Sequence, residues 1–262
     1  MIPFFEIFNG WLIYTFGLTL TLCFFLFLWL LRKVSDKFGI NFSFFVNRIF
    51  WFFLSTFLFS RLFYIIGRWE DFKFINNFLE FFIMTDYNFS LIGGIFGFLL
   101  VLFLSTRSFK IQSGKYIDAT VITFLFVAIF GFIGAFLGGQ IYGTETTYGI
   151  EVVYNHSFSP VVSGIPVFPL ALVYSGVCFV LFSLLYMLSD FVKVRGLLGY
   201  IGMILFFSGI LILDNFNGKA DLFVQKYAIS FNQIGAIFFI LFAFFKLYMI
   251  SKDSSKQNDI II

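Results

Sequence analysis

Seven stretches of the chain are apolar almost without interruption, and the polar positions collect between them. They run over residues 11–31, 44–66, 89–105, 117–138, 167–188, 197–214 and 230–250. A helix rises about 1.5 Å per residue and needs about 20 apolar residues to cross a hydrocarbon core, so each stretch predicts one membrane-spanning helix. The third and sixth are short. Both carry glycines: Gly93, Gly94 and Gly97 in one, Gly199, Gly202 and Gly209 in the other. Small residues let helix backbones approach closely in lipid, so these two helices are expected to pack tightly. The segment 67–88 interleaves charges with aromatics ("RWEDFKF", then "FLEFFIM"), a pattern for a short amphipathic helix on a membrane surface with Trp69 as its anchor. Residues 1–250 read as a single membrane domain, and the polar stretch 251–262 as a frayed, solvated tail.

Composition agrees with the pattern. Of 262 residues, 60% are hydrophobic and only 12% charged, which places the chain among integral membrane proteins. Loop charge then sets its direction, because Lys and Arg are retained on the cytoplasmic side. An N-out, C-in arrangement puts Arg32, Lys33, Lys37, Arg107, Lys110, Lys115, Lys193, Arg195, Lys252 and Lys256 inside. Outside it leaves Arg68, Lys73, Lys219 and Lys226, while the connection 144–166 carries Glu145 and Glu151 and no basic residue. The expected fold is therefore an all-α integral membrane protein of seven transmembrane helices, N-out and C-in.

Several functions drop out. The net charge of +3 is accounted for by topology, and no basic aromatic surface points to nucleic acid. Residues 1–10 lack the basic and small-residue features of a removed signal peptide, so the first span is expected to stay as an anchor. Cys23 and Cys178 fall inside apolar spans, where a thiol acts as a small buried hydrophobe. No metal-ligand spacing and no cofactor motif is present.

An ionisable residue inside a span is costly and becomes a functional candidate by default. Arg61, in "FLFSRLFYII", lies about five residues, or roughly 7.5 Å, from the outer end of its helix, within snorkelling range of the interface. Asp118 stands at the start of the fourth span and is expected to cap that helix. Asp214 ends the sixth span in "LILDNFNG". Under the N-out topology Arg61, Ser90, Gln140, Tyr142 and Asp214 all fall toward the outer leaflet, and the single histidine, His156, lies in the outer connection. The glycines of "GFIGAFLGGQIYG", residues 131–143, admit two roles, a packing seam or part of this polar site.

In order and spacing the chain resembles the bacterial prolipoprotein diacylglyceryl transferase family over nearly its whole length. The family signature reads approximately G-R-x-G-N-F-x-N-G-E-x-x-G, and residues 131–143 follow it at both end glycines, Gly134, Phe136, Gly139 and Gly143. "SRLFY" is similar to the family's small-R-x-x-Y segment, with Arg61 and Tyr64. "SLIGGIFG" is similar to S-F-H-G-G-L-x-G, with Ser90, Gly93, Gly94 and Gly97. Asp118 matches the aspartate before the fourth span, Pro169 the H-P segment with Tyr174 displaced by one, Asp214 a glutamate, and Gln233 the S-x-G-Q segment. The departures fall on charged positions. Phe132 stands at the signature arginine, Ala135 and Gly138 at its asparagines and Gln140 at its glutamate. Ile92 and Phe168 replace histidines, and Ile210 an arginine.

The resemblance implies transfer of a diacylglyceryl group from phosphatidylglycerol to the lipobox cysteine of a prolipoprotein, in a bacterial cytoplasmic membrane. With the family's charged positions replaced, Arg61 and Asp214 from the matched segments are the groups left for catalysis, joined by His156 if its loop folds over the site rather than leaving it as a solvated loop imidazole. Lipid contacts would come from Arg61, Tyr64, Ser90, Gly93, Gly94, Gly134, Gly139, Gln140, Tyr142, Gly143 and Gln233, with the signal peptide of the prolipoprotein as partner. With so many charged positions replaced, an inactive relative that binds lipid or lipoprotein is the alternative.

Overall fold

The computed structural model describes residues 4–7, 11–72, 89–147, 149–154, 164–218, 222–224 and 229–259. Among them, seven helices are long and apolar enough to cross a membrane. They are α1 (Thr15–Phe38), α3 (Ile49–Gly67), α5 (Leu91–Ser108), α6 (Gly114–Leu137), α7 (Leu170–Leu188), α8 (Leu197–Leu213) and α9 (Phe231–Asp259). Two single-turn helices, α2 (Ser43–Val46) and α4 (Trp69–Phe72), lie between them. The described residues also form three short antiparallel strand pairs, β1 (Phe4–Ile7) with β2 (Trp11–Tyr14), β3 (Val152–Val153) with β4 (Pro166–Val167), and β5 (Leu222–Val224) with β6 (Ile229–Ser230), and a 3-10 turn at Asp214–Phe216.

Four boundaries differ from the pattern, the first being that α1 runs on to Phe38, seven residues past the apolar stretch. Residues 11–14 pair with 4–7 as strands instead of opening the first helix. The stretch 44–66 is interrupted at Asn47 and Arg48, so α3 begins only at Ile49. Arginine within hydrocarbon is costly. The break puts Arg48 at a helix end, where it donates to the Phe44 carbonyl at 3.1 Å and lies 3.9 Å from the Phe109 ring centre. The stretch expected to fray from residue 251 instead continues α9, which runs through Asp259, and no Gly or Pro falls between residues 251 and 259. In segment 67–88, Trp69 opens α4 and is exposed, while 73–88 lie outside the described residues.

α6 holds the centre, touching α1, α7 and α8; α9 packs on α8, and α5 joins the α3–α5 pair to α9. Ile117, Ile122 and Leu125 of α6 are fully buried. Phe207 of α8 stacks on Phe239 of α9 with ring centres 4.5 Å apart, and Phe63 of α3 on Phe96 of α5 at 5.3 Å. Large apolar side chains such as Phe50, Trp51, Leu104 and Leu241 are exposed, as expected of a surface that meets acyl chains. The short glycine-bearing helices do pack closely. A Cβ on Gly93 or Gly97 would collide with the Phe59 or Ser55 carbonyl of α3, while Gly94 has only ordinary contacts.

The two ends of the bundle differ. At one, Lys37 pairs with Asp190 at 2.9 Å and Lys115 donates to the Phe38 carbonyl at 2.9 Å. Asp118 belongs to this basic end. It does not cap its own helix: its carboxylate accepts the Gly196 and Gly199 N–H groups at 2.7 and 2.6 Å and caps α8. Asp118 stands a full turn inside α6, beyond reach of that helix's first amides, whereas α8 opens on a glycine with no side chain to offer. The candidate site lies at the other end.

Candidate functional site

At the end of α6 the backbone turns sharply. The Gln140 N–H donates to the Ala135 carbonyl at 2.8 Å and the Gly139 N–H to the Phe136 carbonyl at 3.2 Å. This is the double closure of a left-handed helix stop, and Gly139, with φ of +65°, occupies the position that favours glycine. Gly134, one turn earlier, faces Thr19 of α1 with no room for a Cβ. The chain then joins two neighbours. Gly143 N–H donates to Phe168 O at 2.8 Å, Thr144 N–H to Phe216 O at 2.8 Å, and Gly218 N–H to Tyr142 O at 3.0 Å. The exit of α6, the entry to α7 and the exit of α8 thus form one backbone patch.

Asp214 sits directly beneath it. The side chain is 4% exposed and accepts hydrogen bonds from Ser230 Oγ, from Asn217 Nδ2 at 2.9 Å and from Asn232 Nδ2 at 3.4 Å. Ser230 also begins α9 with a capping box: Gln233 N–H donates to Ser230 Oγ at 3.1 Å, and Gln233 Oε1 accepts the Ser230 N–H at 3.0 Å. Gln233 Nε2 reaches back to Asn215 at 3.1 Å. One network therefore joins Tyr142, Gly143, Asp214 and Gln233, with Gln140 at its edge.

A second group lies on α3 and α5. Ser90 caps α5 by accepting the Gly93 N–H at 3.3 Å, and is tied to Ser60, whose hydroxyl donates to the Ser90 carbonyl at 2.8 Å. Arg61, next to Ser60, is only 6% exposed. Its guanidinium lies 5.4 Å from the Tyr64 ring centre and 5.7 Å from that of Phe72. The two groups meet through Phe231, the residue after Ser230, which packs on Phe63 and Gly67 of α3. His156 lies outside the described residues. Among those residues, no three His, Cys, Asp or Glu side chains gather as a metal site.

Four of the departures from the family pattern are packed away from the surface. Ile92, Phe132, Ala135 and Ile210 are all buried, and Ile92 presses on Gly235 of α9. Phe132 stacks face to face on Tyr174 of α7, with ring centres 5.0 Å apart and planes 18° apart.

Two residues that sequence reasoning did not select belong to this end. Tyr174 lies close enough to Asp214 for their charges to interact. Tyr154, 2% exposed, sets its ring edge-on to Phe136 at 6.5 Å, and its hydroxyl has no hydrogen-bond partner among the described residues. Burial, with Tyr142 close by, pushes the Tyr154 phenol up to about 12, so it remains a protonated donor. Tyr154 ends the strand-like run "VVY", whose apolar start was the available signal.

The model of the prolipoprotein diacylglyceryl transferase family matches residues 3–249. No curated protein matches the chain. The chain belongs to the prolipoprotein diacylglyceryl transferase family and is a multi-pass membrane protein.

Proposed function

We propose that this member of the prolipoprotein diacylglyceryl transferase family holds a phosphatidylglycerol-class lipid at the Asp214 end of the bundle and transfers its diacylglyceryl group to the lipobox cysteine thiol of a prolipoprotein. The observation that carries the proposal is Asp214 itself. A buried carboxylate is joined through Asn217 to the turn that closes the signature segment. In this arrangement the Asp214 end faces the outer leaflet of a bacterial cytoplasmic membrane, because Lys37, Arg48, Lys115 and Arg195 sit at the opposite end, which the positive-inside rule assigns to the cytoplasm.

In the reaction, the cysteine sulfur attacks the glyceryl carbon that bears the phosphate. The C–O bond breaks, glycerol phosphate leaves, and the thiol proton passes to a base. A thiol is mostly protonated near neutrality, so a proton acceptor is needed, and the leaving phosphate needs a cation or donors. Asp214 is the acceptor we assign. A carboxylate offers about four lone-pair positions, and three side chains occupy Asp214. Arg61 is the cation, and His156 the third candidate, from the connection between α6 and α7.

The second reading, a lipid-binding relative without transfer, is favoured by one observation: Phe132 and Ile92 fill the places of the signature arginine and histidine as core residues. Both readings require bound lipid. Lipids extracted from the purified protein are expected to be enriched in phosphatidylglycerol, and Arg61→Ala to lose that enrichment. A folded parent protein that carries no phospholipid would contradict both.

A further inference from the structure

Phe132 and Phe136 stand four residues apart on α6 and so share one face of that helix. Each carries a tyrosine: Tyr174 stacks flat on Phe132, and Tyr154 meets Phe136 edge-on. The two phenols come from different elements, α7 and the end of β3, yet they share one property. The Tyr154 hydroxyl is sealed from solvent without a partner, and the Tyr174 hydroxyl, on a residue 7% exposed, makes no hydrogen bond among the described residues. Buried tyrosine hydroxyls ordinarily find an acceptor. Two phenols that make no hydrogen bond among the described residues, over one helix face and at the position where the family carries its arginine, mark a place suited to the acceptor oxygens of a ligand.

We propose that Tyr154 and Tyr174 are the donors that recognise the phosphate and ester oxygens of the bound glycerolipid, along the Phe132–Phe136 face of α6. The assignment rests on the lipid-site reading above and names the groups that make it specific. A neutral phenol suits the location, because the surrounding face is apolar and a full charge there would be costly. The stack on Phe132 orients the Tyr174 ring and burial confines the Tyr154 ring, so less ordering cost remains on binding.

The test exploits how little a Tyr→Phe change removes. Tyr154→Phe and Tyr174→Phe keep both ring contacts and delete only the oxygen. Delipidated full-length protein in detergent is titrated with dioleoyl phosphatidylglycerol and read by native mass spectrometry, with thermal melting of the lipid-free protein alongside. Each variant is expected to bind the lipid about fivefold more weakly while melting at or above the parent temperature, because the lost hydroxyl had no protein partner. Inorganic phosphate is expected not to displace the lipid. Unchanged affinity in both variants, or a lower lipid-free melting temperature, would overturn the assignment, as would displacement by phosphate alone. A parent protein that takes up no lipid would sink the lipid-site reading itself, a result distinct from a parent that binds and variants that bind equally well.

Discussion

Asp118 closes a helix other than its own: the carboxylate on α6 accepts the Gly196 N–H at 2.7 Å where α8 begins. The second oxygen takes the Gly199 N–H at 2.6 Å, and the side chain is 1% exposed. A negative group at a helix start also meets the partial positive charge of the backbone dipoles. Asp118→Ala is expected to destabilise the protein by about 3 kcal/mol, since two charge-assisted bonds to buried amides are lost. Asp118→Asn, which retains one acceptor, is expected to lose less. Thermal melting in detergent checks both, and an unchanged melting temperature in the alanine variant would refute the capping role.

The glycines of residues 131–143 separate by the same measurement. Gly139 holds φ of +65°, so Gly139→Ala is expected to cost about 1–2 kcal/mol, and Gly139→Asn less. A Cβ on Gly131 meets nothing within 4 Å, so Gly131→Ala is expected to be neutral or to stabilise α6 by up to about 1 kcal/mol. Equal losses at the two positions would contradict this assignment of the turn.

Ser230 serves both α9 and Asp214. Ser230→Ala is expected to cost about 1–2 kcal/mol through the lost cap, and to reduce reporter lipidation by leaving the Asp214 carboxylate one donor short. Ser230→Thr keeps the hydroxyl and is expected to restore both. Full lipidation by the alanine variant would separate Asp214 from the chemistry.

Restoring the family arginine is not expected to restore the family site. Phe132 is buried against Tyr174, so Phe132→Arg places a cation in the apolar core and is expected to lower folded yield with no gain in lipidation. A well-folded variant with increased lipidation would show that the position still faces substrate.

The spans were legible because hydrocarbon imposes one long apolar run per helix, and four of the seven helices, α5 to α8, match their runs within about three residues at each end. The break before α3 was hidden, since Arg48 interrupts the apolar run without a proline or glycine to announce it. The N-terminal strand pair had a signal, the Asn9–Gly10 pair between two aromatic runs, which the first long apolar stretch masked. At the site, the gathering of Gln140, Tyr142, Gly143, Asp214 and Gln233 at one end followed from topology. The one-residue bridges that join them, such as Gly143 to Asn217, have no periodicity to read. Asp118 was read as a cap, but which helix it caps depends on which helix lies beside it, a tertiary fact. Tyr154 matters through a buried hydroxyl that has no hydrogen-bond partner among the described residues, and Tyr174 through its stack on Phe132; both are visible only once the neighbours are in place.

The most direct test of the transfer reading is to express the chain in cells depleted of their own diacylglyceryl transferase and to follow a reporter prolipoprotein by mass. A reporter that gains a diacylglyceryl group, and fails to gain it with Asp214→Asn, is the predicted result. A reporter that stays unmodified while the folded protein is present in the membrane would contradict it.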